Sequence, residues 1–179
     1  MDFCNWLHRS GIFINTMRKA LFPGTFDPPT FGHLDVIRRS VSICDRLYIG
    51  IAINSTKEKS SLFSPEERGE LLRKIAKEFP HVEVVLFEGL VVDFAREHKI
   101  DFLIRGLRAF SDFEYEFRMA LMNRAMSGIE TVFLMADPQL AHLSSTLIRE
   151  VGHHKMRLHS FIPEAIEAEV FGRIREKTR

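Results

Sequence analysis

His33, Thr25, Lys57, Lys59, Arg105 and Arg108 are the residues whose types and positions point to chemistry, and the chemistry is that of phosphate. They supply cations and hydrogen-bond donors, and no nucleophile stands beside a general base. Transfer between two ionised phosphates needs no such pair. The attacking oxygen is already charged at neutral pH, and a leaving pyrophosphate needs its charge stabilised more than it needs a proton. Holding two phosphates in line can supply about 7–11 kcal/mol of the barrier. Removing one preorganised donor costs about a hundred- to a thousand-fold in rate, and His33 is where that loss is expected.

The elements that must position these groups follow from the flanking pattern. Lys19 to Phe22 reads as a short buried strand, while Leu34, Ile37, Val41 and Cys44 recur at helical spacing. The stretch Leu21 to His33, Leu-Phe-Pro-Gly-Thr-Phe-Asp-Pro-Pro-Thr-Phe-Gly-His, is therefore the turn between a first strand and a first helix, where open α/β sheets bind ligands. Gly24 would let the backbone approach a ligand, and Pro23, Pro28 and Pro29 stiffen the segment. Thr30 suits a helix N-cap, which leaves Gly32 and His33 in a first turn whose amides and dipole favour an anion. A single histidine there is ordinarily a surface residue; the ordered string is what singles this one out.

Composition narrows the classes. At 179 residues the length suits one domain able to bury a core without staples. Lys plus Arg number 25 against 24 acidic residues, a net charge of +1, so no global field recruits nucleic acid or an anionic membrane. Cys4 and Cys44 lack metal-ligand spacing and are too few for a disulfide framework, so a reducing cytoplasm is the expected compartment. No apolar run is long enough to cross a bilayer. Residues 1–16 lack the features of a signal peptide and are set apart as an appendage of unknown role, leaving 17–179 as one domain.

Along the chain, Leu-Tyr-Ile-Gly-Ile-Ala-Ile within Asp45 to Asn54 predicts a strand covered on both faces. Ser64-Pro65-Glu66-Glu67 opens a helix that stops before Pro80. Val82 to Phe87 predicts a third strand, Val91 to Lys99 a helix, Asp101 to Ile104 a fourth strand, and Arg105 to Phe110 a basic turn. A helix through about Met126, bearing Phe113, Phe117, Ala120 and Leu121, a strand from Glu130 to Met135, a helix from Thr146 to Val151 and a last one from Pro163 to Lys177 complete the reading. Strands alternating with helices predict an α/β fold, a doubly wound five-stranded parallel sheet. In such a sheet the loops bearing Thr25 and His33, Lys57 and Lys59, Arg105 and Arg108, and Ser144-Ser145-Thr146 leave on one edge.

Each group also has a duller reading. Lys57 in Lys-Glu-Lys suits a solvated loop, the two arginines suit a surface turn, and Ser-Ser-Thr is first an N-cap choice. Asp112, Glu114 and Glu116 sit where a helix dipole favours acids, and Glu116 could instead accept hydrogen bonds from a ribose or adenine. Neither G-x-G-x-x-G nor G-x-x-x-x-G-K-[ST] occurs, and His153-His154 has no zinc-binding pattern around it.

The chain from about Arg18 to Arg173 resembles the bacterial phosphopantetheine adenylyltransferases, of the nucleotidyltransferase superfamily. The residues that carry this are Pro23-Gly-Thr-Phe-Asp-Pro28, Gly32-His33, Pro65-Glu-Glu-Arg68, Phe94-Ala-Arg96, Ile104-Arg-Gly-Leu-Arg-Ala109, Asp112-Phe-Glu-Tyr-Glu116, Met122-Asn-Arg124 and Leu143-Ser-Ser-Thr146. The resemblance implies a Rossmann-like nucleotidyltransferase fold that converts ATP and 4′-phosphopantetheine to dephospho-coenzyme A and pyrophosphate. Mg²⁺ would be held mainly by ATP phosphates and water rather than by protein ligands. It further implies a homo-oligomer, a hexamer in this family, and feedback by coenzyme A.

The resemblance also carries roles. Thr25 would position the reacting phosphates, His33 would stabilise the α-phosphate, Lys57 would reach the transferring phosphates, and Arg105 would contact the acceptor phosphate. Phe26, Gly106, Leu107, Arg108, Glu116 and the segment Leu140, Ala141, His142, Leu143, Ser144, Ser145, Thr146 fall on the ATP side, and Leu90 and Val91 along the pantetheine arm. Two features depart from the family pattern. The lysine loop is two residues longer, so Lys59 competes with Lys57, and Leu140-Ala-His142 replaces a more aromatic tripeptide.

Overall fold

In the computed structural model, residues 17–53, 61–154 and 158–177 are described; the 1–16 segment, Lys57 and Lys59 lie outside them. Ala20 and Phe22 pack on one face of the first strand, β1 (Lys19–Gly24), and Leu21 on the other. The same alternation in β2 (Arg46–Ile53) sends Leu47, Ile49 and Ile51 one way and Tyr48 the other. Both strands are thus buried on two sides, as an interior parallel strand must be. With β3 (Val82–Glu88), β4 (Phe102–Leu107) and β5 (Glu130–Met135) they form one all-parallel sheet in the order β3-β2-β1-β4-β5.

Among the described residues four helices connect the strands, α1 (Phe31–Ser40), α2 (Pro65–Ala76), α3 (Val91–Glu97) and α4 (Phe110–Ser127), and two follow the last strand, α5 (Ser145–His153) and α6 (Glu164–Lys177). α1, α2, α5 and α6 cover the face that buries Ala20 and Phe22, while α3 and α4 cover the face of Leu21 and Leu103. Gly152 does not end α5 but sits within it, because a Cβ there would lie 2.4 Å from the Ile174 side chain of α6.

The strand order reverses at β1. The chain runs outward through β2 and β3 and then returns to the far side of β1 as β4, and such a reversal opens a crevice at the carboxyl ends of the two strands. Pro23 deepens it. Lacking an N–H, it cannot extend the ladder, and β1 pairs with β4 only at Ala20 and Leu21 while its pairing with β2 continues to Gly24. One expectation is corrected here. β4 runs on to Leu107, so Arg105, expected in a turn, is a strand residue whose ladder to β5 continues as far as Leu107 opposite Met135. Phe113, Phe117 and Leu121 of α4 are exposed.

Candidate active site

The crevice is a cavity of about 440 Å³ walled by the end of β1, the first turn of α1, the end of β4, the start of α4 and the start of α5. Thr25, Phe26, His33, Arg105, Gly106, Arg108, Glu116, Leu143, Ser144, Ser145 and Thr146 all line it. Asp112 and Tyr115 line it too, neither of which the sequence singled out for the site. Four others fall elsewhere. Leu107 is buried in the sheet, and neither Leu140, Ala141 nor His142 reaches the cavity wall. A second cavity of about 290 Å³ adjoins the first, sharing Pro23, Gly24, Thr25, Arg105, Tyr115 and Glu116 and continuing past Val91, Leu103, Met119 and Asn123. Val91 lines this second space, but Leu90 is outside its wall and exposed.

Thr30 caps α1 as expected. His33 is the third residue of the helix, and Thr30 Oγ1 accepts from its backbone N–H (3.3 Å) while the Thr30 backbone N–H donates to His33 Nδ1 (3.0 Å). The second bond decides the tautomer: Nδ1 accepts, so the ring proton sits on Nε2. Burial first, and then the charges of Arg108 and Arg105, push the imidazole pKa down to about 4. At neutral pH His33 is an uncharged ring with one fixed N–H to offer. Phe26 sets the ring from the side, its own ring meeting it edge-on at 5.0 Å.

The turn between β1 and α1 is held tightly. Phe26 is buried and has φ of 52°, the left-handed region that a bulky side chain seldom occupies. Its ring fills the space above Gly24, where a Cβ would come within 2.6 Å of it. Gly24 thus makes room for Phe26 while its backbone lines both cavities.

Arg105 crosses the boundary between the two cavities. Its Nε and Nη2 donate to the two oxygens of Glu116 at 2.7 and 2.6 Å, and its Nη1 donates to the carbonyl of Pro23. Two of its five N–H groups are thus left for a ligand. Arg108 is braced by Asp112 (3.0 Å) and by the Leu143 carbonyl (3.1 Å). Ser144 caps α5, and Ser145 Oγ donates to Pro28 O (2.8 Å), fastening the start of that helix to the β1–α1 turn. Three segments far apart in sequence thereby bring a neutral donor, two guanidinium groups and a helix start to one cavity, a set suited to holding phosphates and stabilising negative charge as it develops.

Comparison with other proteins agrees. The model of the cytidylyltransferase-like family matches residues 21–151. A phosphopantetheine adenylyltransferase of Moorella thermoacetica is 49% identical over 152 residues, 84% of this chain and 94% of its own. Its counterpart in Clostridium tetani is 46% identical over 84% of this chain and 93% of its own, and that of Bacteroides thetaiotaomicron 42% identical over 84% and 99%. Among solved structures, a protein assigned as a nicotinate-nucleotide adenylyltransferase from Vibrio parahaemolyticus superimposes with a TM-score of 0.65 at 19% identity, covering 88% of this chain and 96% of that one. That likeness bears on the fold alone. With identity above 40% along nearly the whole length of these relatives, the chain belongs to the phosphopantetheine adenylyltransferase family of cytidylyltransferase-like proteins.

Proposed function

We infer that this chain transfers the adenylyl group of ATP to 4′-phosphopantetheine, yielding dephospho-coenzyme A and pyrophosphate. The observation that carries the reading is the tautomer of His33, a neutral Nε2–H donor in a cavity also lined by Arg105, Arg108 and the start of α5. A phosphate oxygen of the acceptor bonds to the α-phosphorus of ATP while the bond from that phosphorus to the bridging oxygen of pyrophosphate breaks. No proton need move, since the acceptor enters ionised. His33 donates to a non-bridging α-oxygen as its charge grows, and Thr25 orients the reacting phosphates. Arg105 turns its two remaining N–H groups to the acceptor phosphate, whose pantetheine arm then enters the second cavity. Arg108, Gly106 and the residues from Leu143 to Thr146 take the ATP side; Lys57 or Lys59, outside the described residues, would add a cation.

Among the described residues no cluster of three or more His, Cys, Asp or Glu is arranged to hold a metal. The two carboxylates lining the cavity, Asp112 and Glu116, are paired with Arg108 and Arg105. This wall suits Mg²⁺ carried in on ATP phosphates and water, which would offset charge on the triphosphate. The exposed apolar side chains of α4, among them Tyr115, Phe117, Leu121, Met122 and Met126, with Met135 of β5, support assembly with further copies of this chain, a hexamer in our reading. A cytoplasmic location and inhibition by coenzyme A at the same cavities complete it; among the described residues no helix is long and apolar enough to cross a membrane.

The test offers purified protein ATP with 4′-phosphopantetheine, nicotinate mononucleotide or glycerol phosphate and follows pyrophosphate release. Turnover with phosphopantetheine is expected. Turnover with another acceptor and not with this one overturns the substrate, and binding of ATP without turnover of any acceptor would make the protein a nucleotide sensor.

A further inference from the structure

Asp27 is the one carboxylate among the described residues that is fully buried, only 2% exposed, yet it does not line the cavity. Its Oδ2 accepts from the Leu62 N–H (2.8 Å) and from Arg149 Nη1 (3.1 Å), and its Oδ1 accepts from the Phe63 N–H (2.9 Å). The same Arg149 nitrogen also donates to the Asp27 carbonyl (2.7 Å). Three donors converge on two oxygens, which a carboxylate can serve and an amide, with one oxygen and a pair of its own N–H groups, cannot. Burying a carboxylate is expensive unless each lone pair facing the interior is met. A residue that only filled this space would not need the charge.

What Asp27 adjoins explains the need. Immediately before it, Phe26 is held in the left-handed region, a conformation that persists only where neighbours enforce it. Arg68, itself 2% exposed, donates from Nη1 to the Thr25 carbonyl (3.0 Å) on one side of Phe26, and Asp27 is fixed on the other. Phe26 in turn sets the His33 ring. Through Arg149, Asp27 also ties this turn to α5, whose first residues line the cavity.

We propose that Asp27 and Arg149 are positioning residues for adenylyl transfer, holding the Thr25–Phe26 turn and the start of α5 in register so that the donors on both meet one phosphorus atom. The proposal rests on the adenylyl-transfer reading of the cavity. A displacement of about 1 Å at such a site can cost about a hundred-fold in rate. Asp27→Asn should lower kcat about 10- to 100-fold per folded active site, with KM for ATP and for phosphopantetheine each within about threefold of wild type. Arg149→Met should lose kcat in the same way. Because one Arg149 nitrogen makes both bonds to Asp27, a lysine ammonium can replace it, so Arg149→Lys should restore most of the kcat lost in Arg149→Met.

The assay is steady-state dephospho-coenzyme A formation, with folded fraction measured by circular dichroism and active-site titration. A kcat for Asp27→Asn within twofold of wild type overturns the proposal, as does an equal loss in Arg149→Lys and Arg149→Met. Should Asp27→Asn not fold, the two Arg149 variants decide, since that side chain lies part-exposed. Wild-type protein that fails to turn over phosphopantetheine would instead count against the function, so the two failures are distinct.

Discussion

Replacing His33 separates a neutral hydrogen-bond donor from an acid catalyst. With the imidazole pKa held at about 4, about one ring in a thousand is protonated at pH 7, so a mechanism needing the imidazolium would forgo about three orders of magnitude. A neutral Nε2–H aimed at the α-phosphate forgoes nothing. His33→Ala removes that donor and should lower kcat about a hundred- to a thousand-fold, equivalent to about 2.7–4 kcal/mol of transition-state stabilisation, with the Kd for ATP within about threefold. It also opens the capping box, for about 1 kcal/mol of stability. Glutamine at the third position of a helix closes such a box equally well. His33→Gln should therefore keep the melting temperature of wild type while still losing most of kcat.

The pH dependence follows from the same numbers. Between pH 5 and 8.5, log(kcat/KM) should show only the acceptor phosphate ionising near 6, in wild type and His33→Gln alike. Stability moves in the opposite sense to a histidine that gains a partner. The unfolded chain takes up this proton near 6.5 and the folded one only near 4, so stability falls as pH drops through that interval, and His33→Gln removes that part of the slope. The assays are coupled pyrophosphate release, calorimetric ATP binding and thermal melts across pH. A His33→Ala kcat within tenfold of wild type refutes the reasoning. So does a decline in wild-type activity centred near pH 6.5 on raising the pH that vanishes in His33→Gln.

Three further outcomes test the surrounding geometry. Glu116→Gln should raise KM for phosphopantetheine several-fold and leave KM for ATP unchanged, because the carboxylate grips Arg105; a change confined to ATP would place Glu116 against the nucleotide. Gly24→Ala should destabilise by about 1–3 kcal/mol in a denaturant melt and lower kcat, since its Cβ displaces the Phe26 ring that sets His33; wild-type stability would refute that packing. Leu121→Glu, at the middle of the exposed face of α4, should shift sedimentation to a smaller species with the melt of the protomer preserved, and unchanged mass would remove this face from the assembly.

What could be seen in the sequence was what is local. The cap at Thr30, the placing of His33 and the helix opened by Ser64-Pro65 are each settled within four residues, and the structure has them where the pattern put them. Arg105 reads as a turn residue in the sequence because a charge at a strand's end resembles one. Its partner Glu116 sits on the following helix, and only the folded sheet shows why β4 continues through it. The helix α4 carries apolar residues around much of its circumference, so spacing alone did not separate the face toward the sheet from the exposed one. Asp27 was hidden for a third reason. Its partners lie 35, 36 and 122 residues away, and in a turn rich in proline and phenylalanine an aspartate reads as a turn former, not as a buried carboxylate.

Whether separate loops converge on one α-phosphorus is measured directly by a structure of the protein with a non-hydrolysable ATP analogue. The expected result places His33 Nε2 about 2.7–3.1 Å from a non-bridging α-oxygen, with the triphosphate against the start of α5 and an N–H edge of Arg105 facing the open side of the phosphorus. An α-phosphate more than about 4 Å from the imidazole, or a ring turned so that Nδ1 no longer accepts from Thr30, would contradict the account.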